Sequence, residues 1–148
     1  MFLETGSGTK SDELNLAILN AMTQSSRSIS PGLSRLFVGC ALMNVGGATV
    51  FAPPLTGLRL EMGLPEPPPM YLWILSFWIL IFGASYLNIA RVRYFEPTLL
   101  AVAAAGKATF SLAMIGTWLG GGLPMPAALS SLPDLLLAFF FVWLIRTS

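Results

Sequence analysis

Residues 99–118 read LLAVAAAGKATFSLAMIGTW, a run of apolar and small side chains with one full charge, Lys107, near its middle. It is as long as the roughly 20 residues that a helix needs to cross a bilayer. A second charge, Asp134, interrupts the next apolar run, 126–145. These are the only ionisable groups well inside apolar segments of that length.

Composition points the same way. Of the 148 residues 55% are hydrophobic and 10% charged, against roughly 25% charged in a soluble domain. A chain this apolar reads as one compact domain with lipid as its solvent. The net charge of +1 offers no basic field for nucleic acid. There is no histidine and a single cysteine, Cys40. Zinc, haem and iron–sulfur sites therefore lack their usual ligands, and no metal or cofactor is expected. Cys40 reads as a small packed hydrophobe. The start of the chain has early acids and no apolar core of a signal peptide, and Phe2 excludes N-myristoylation.

Four spans follow from the punctuation. Residues 1–32 form a polar leader in which Asp12 could cap a short interfacial helix over 12–23, with Leu14, Ile18 and Met22 on one face. The first span covers about 33–52 and stops at Pro53-Pro54. Its Gly39, Gly46 and Gly47 suit close helix approach, and Asn44 needs a partner inside the bilayer. Residues 56–69 read as a loop whose prolines make its end stiff. The second span, about 70–90, opens with an interfacial Tyr71 and Trp73, packs through Gly83-Ala84-Ser85, and carries Tyr86 toward its far end.

The third span is 97–119, with Pro97 in its first turn. The fourth is 126–145, with a kink expected at Pro133. A helix starting only at Pro133 leaves 13 residues before Arg146, roughly 20 Å at 1.5 Å per residue, too short to cross alone. The fold class is thus all-α integral membrane, an antiparallel four-helix bundle. Lys10, Arg27, Arg35, Arg91, Arg93 and Arg146 fall on one side and Arg59 alone on the other. The positive-inside rule then makes the leader and both termini cytoplasmic.

The same arithmetic brings the two central charges together. Lys107 lies ten residues past Pro97, and Asp134 twelve before Arg146, so each is roughly 15–18 Å from the same end of the bundle. A lone charge there costs about 2.5–3.5 kcal/mol on insertion scales, and pairing offsets that cost. Ala103, Ser111 and Met114 share the Lys107 face, and Asn44, eleven residues past Leu33 and so roughly 17 Å into its helix, reaches a similar level. The expected polar centre is Asn44, Lys107 and Asp134, with Ser130, Ser131 and Tyr86 beside it.

Such a centre has several uses. It could fix helix register and nothing more. It could bind the polar head of a lipid-like or small polar ligand, serve a proton-linked transport step, or supply acid and base to an enzyme. The enzyme reading has least support, because no nucleophile–base pair or metal set completes it. A different class is an accessory subunit of a larger membrane complex or homo-oligomer, with the Phe139–Trp143 run facing partner or lipid.

Tyr71-Leu72-Trp73, Gly106-Lys107 and Pro133-Asp134-Leu135-Leu136 together resemble the DoxX-like proteins, small four-helix bacterial membrane proteins, over about two thirds of the chain. Pro133 stands where those relatives often have glycine. The resemblance implies a four-helix bundle in a bacterial inner membrane. It implies no reaction, and it marks only Lys107 and Asp134 as positions of interest.

Overall fold

A computed structural model describes residues 10–17 and 27–147. The elements in order are helix α1 (residues 10–17), strand β1 (Arg27–Ser28), helices α2 (Pro31–Phe51), α3 (Thr56–Glu61) and α4 (Pro69–Val92), strand β2 (Tyr94–Phe95), and helices α5 (Pro97–Leu119), α6 (Met125–Leu129) and α7 (Leu132–Thr147). Four helical segments, 31–51, 69–92, 97–119 and 125–147, are long and apolar enough to cross a membrane. This is the mark of a multi-pass membrane protein. Leu42, Phe77, Ile81, Leu112, Leu136 and Phe139 lie exposed along them, an apolar surface that suits lipid rather than water.

The helices start where capping chemistry allows. Ser30 accepts the Leu33 amide at 3.3 Å ahead of Pro31. Glu96 accepts the Leu99 amide at 2.7 Å ahead of Pro97. In both cases the proline takes the first turn, where its missing N–H costs nothing.

Two tight hairpins make the body. α2 packs chiefly on α4, and α5 chiefly on α7. Along the first pair Ser34 donates to the Ala90 carbonyl at 2.8 Å, Asn44 to Ile79 at 2.9 Å, and Ser76 to Ala48 at 3.1 Å. The partners climb one helix as they descend the other. Side-chain amides and hydroxyls bonded to a neighbour's carbonyl are the polar glue expected where water is absent. The hairpins join around Phe37, Tyr86 and Phe141, all buried, with Phe37 stacked on Phe141 at 5.8 Å between ring centres.

Several sequence expectations change. The fourth span is broken rather than kinked. α6 ends at Leu129, and α7 begins at Leu132, one residue ahead of Pro133. Proline at position 133 cannot donate to the carbonyl four residues back, so the chain restarts its helix with Pro133 in the first turn. The short α7 that looked unable to cross is extended by α6. Residues 56–61, read as loop, form α3, whose Leu58, Arg59, Leu60 and Glu61 favour helix. α3 gives way to Gly63 in the left-handed region (φ +71°).

Residues 27–30, assigned to the leader, belong to the body. β1 pairs antiparallel with β2, and the Ile29 amide bonds the Arg93 carbonyl at 3.0 Å. Asp12 is not a cap, because Lys10 and Ser11 are already helical. Ile18 and Met22 lie outside the described residues.

The packing glycine is Gly83. A Cβ there would meet Asn44 Cβ at 3.2 Å and the Ala41 carbonyl at 3.5 Å, whereas nothing lies within 4 Å of one added at Gly39 or Gly46. Gly47 makes only ordinary contact, 3.7 Å from Ile79.

Candidate functional site

The third span keeps one inward stripe. Ala103, Lys107, Ser111 and Met114 are all buried, at three- and four-residue spacing. Opposite this stripe stands the start of α7. The Lys107 ammonium bonds Asp134 Oδ1 there. Asp134 lies in the first turn of α7, where the positive end of the helix dipole favours a carboxylate. The broken fourth span thus brings a helix N-terminus and an ammonium to the same carboxylate.

The break itself is held by hydroxyls. Backbone groups freed inside a membrane need protein partners. Ser130 Oγ donates to the Ala127 carbonyl and Ser131 Oγ to Ala128, each at 2.7 Å. From α5, the fully buried Ser111 donates to the Ser131 carbonyl at 2.8 Å. Ser131 therefore faces the break and is itself fully buried.

A cavity of about 400 Å³ opens between the two hairpins. Each long helix gives it one stripe at helical spacing: Asn44, Gly47 and Phe51 from α2; Trp78, Phe82 and Tyr86 from α4; Gly106, Lys107 and Phe110 from α5. Ser130, Pro133 and Asp134 close it from the broken span, and Met62 and Leu64 from the turn after α3. The polar groups of its wall are Asn44, Tyr86, Lys107, Ser130 and Asp134; the rest of the named lining is apolar or glycine. The Lys107 side chain is 9% exposed and that of Asp134 23%, so the carboxylate keeps an open face. Tyr86 lies below the ammonium, its ring centre 5.8 Å from Lys107 Nζ, within cation–π range.

Of the six residues expected at the polar centre, five line one cavity and Ser131 lies behind it. Asn44 has its amide committed to α4 through Ile79. Sequence reading missed the aromatic lining of Phe51, Trp78, Phe82 and Phe110. Their signal was present, since Trp78, Phe82 and Tyr86 repeat every four residues, but outward aromatics repeat likewise. The run 139–143 divides: Phe141 is core, while Phe139 and Trp143 are exposed. Cys40 is a buried free thiol packed beside Phe37 and Ala41 in the same core. Among the described residues no three His, Cys, Asp or Glu side chains gather to hold a metal ion.

No family model, curated protein or solved structure matches the chain. The reading of the site rests on its own chemistry.

Proposed function

We propose that the chain is a small inner-membrane protein that binds a lipid-like or small polar ligand at the Lys107–Asp134 centre. One observation carries this: the ion pair stands on the wall of a cavity rather than in a sealed core. A pair that only fixed register would need no such space. About 400 Å³ falls within the roughly 300–1,000 Å³ of small-molecule sites, which are mostly apolar with a few converging polar groups. An ammonium beside a carboxylate adds no net charge, so the site favours a neutral or zwitterionic head with both donor and acceptor. The apolar stripes suit its hydrocarbon or ring portion. Met43 and Trp78 line the cavity and are also exposed on the outer, lipid-facing surface, which supports entry from the bilayer.

In this reading the two hairpins form one antiparallel bundle in a bacterial inner membrane with both termini cytoplasmic. The distribution of Lys and Arg supports that orientation, and the likeness to DoxX-like proteins supports the membrane.

A second reading has its own observation. α5 and α7 share an outer groove with Ala101, Ala104, Ala105, Ala108 and Ala138 in its floor, and small residues let another helix approach closely. This supports an accessory subunit of a larger complex or a homo-oligomer.

Purification in mild detergent separates the two. Native mass spectrometry should find a lipophilic molecule on the wild-type chain, and Gly106→Leu should lose it while staying folded, since a Cβ at Gly106 meets nothing within 4 Å. Equal loading of the filled variant, or an empty wild type, rejects the cavity reading. A stoichiometric protein partner in its place moves the assignment to the subunit.

A further inference from the structure

Lys107 has its carboxylate; Arg59 has none among the described residues. Arg59 lies in α3, between the first two spans, and is 1% exposed. Its Nε, Nη1 and Nη2 are all sealed from solvent, and none has a hydrogen-bond partner among the described residues. The acids nearest in sequence, Glu61 and Glu66, are exposed. Arginine cannot shed its proton to escape burial. A buried charge without compensation is among the costliest features a fold can hold.

The setting says what could compensate it. α3 is inside out for a helix in water: Leu58 and Leu60, with Leu55 just ahead, are exposed, and the arginine is inward. Outward leucines suit the apolar side of a membrane interface. α3 also sits at the end of the body. The Leu64 amide bonds the Arg59 carbonyl at 3.1 Å, Leu64 packs with Met114 and Ala127, and Gly63 abuts Pro124 in the loop after α5. That end follows the α2 C-terminus and precedes the α4 N-terminus, at headgroup level for spans of this length.

We infer that Arg59 receives an anionic oxygen acid, a phosphate or carboxylate group, at the α3 end of the body. The planar guanidinium fork matches such groups with two parallel hydrogen bonds. An anionic lipid headgroup and a small soluble anion present the same chemistry. The site is distinct from the central cavity, whose lining does not include Arg59.

Thermal melting of the full chain in a neutral detergent tests this, with phosphatidylglycerol, phosphatidylcholine or inorganic phosphate added to wild type, Arg59→Met and Arg59→Lys. A ligand that binds the folded state raises the melting temperature. Wild type should gain several degrees with phosphatidylglycerol and little with phosphatidylcholine. Arg59→Met should lose that gain, and without lipid should melt no lower than wild type, because it sheds an uncompensated charge. Arg59→Lys, which keeps the charge but not the fork, should gain less than wild type, and carries the test if Arg59→Met does not fold. An equal gain with inorganic phosphate assigns a soluble anion and supports the site. No gain with either anion, or an undiminished gain in the variants, overturns it.

Discussion

Lys107 on α5 meets Asp134 in the first turn of α7, and one turn along α5 Ser111 binds the carbonyl of Ser131 at the break just before that turn. The ion pair and the broken span are therefore one construction. The break supplies a helix N-terminus for the carboxylate, and α5 supplies the cation and the hydroxyl that hold the break.

Removing either charge leaves its partner uncompensated within the membrane-spanning body. Lys107→Met and Asp134→Leu should each cost about 2.5–3.5 kcal/mol, in line with the insertion cost of one charge. The double variant should cost less than the sum of the singles. A double-mutant cycle from melting in detergent reads the coupling. Additive losses would mean that the two groups do not support each other.

The α2–α4 contact makes a second prediction. Gly83→Val should cost about 1–3 kcal/mol, because the contact with Asn44 and the Ala41 carbonyl is already close. It should also disturb the Asn44–Ile79 bond. Gly46→Ala should be neutral or gain up to about 1 kcal/mol, since nothing lies within 4 Å of an added Cβ and alanine favours helix. Melting temperatures of the two variants decide this. A costly Gly46→Ala beside a harmless Gly83→Val would mean that the helices pack on another face.

What could be read before the structure follows from how the membrane acts on sequence. The spans were legible because hydrocarbon demands long apolar runs and proline punctuates them, as at Pro53 and Pro97. The level shared by Lys107 and Asp134 was legible because helical rise is fixed. Packing faces were harder to read. In a membrane both faces of a helix are apolar, so Gly46 and Gly83 look alike until a neighbour is placed. The break ahead of Pro133 depends on Ser111, 20 residues away. The inward turn of Arg59 was hidden because residues 56–69 read as a loop, where a charged side chain faces out, while here Arg59 is buried and Leu58 and Leu60 face outward.

Glu96 makes the third prediction, outside the spans. It caps α5 by accepting the Leu99 amide, and that bond to the charged form holds its carboxyl below the ordinary 4.5. A carboxyl with a depressed folded-state value stabilises the fold fully above its unfolded value, and loses that contribution as pH falls through the folded one. Wild type should thus melt above Glu96→Gln at neutral pH, and the gap should close as pH drops below about 4.5, the ordinary value. Melting curves of both proteins from pH 7 to pH 3 measure the gap. A gap that stays constant over that range would show that the cap works through shape alone, because glutamine keeps the acceptor and lacks only the charge.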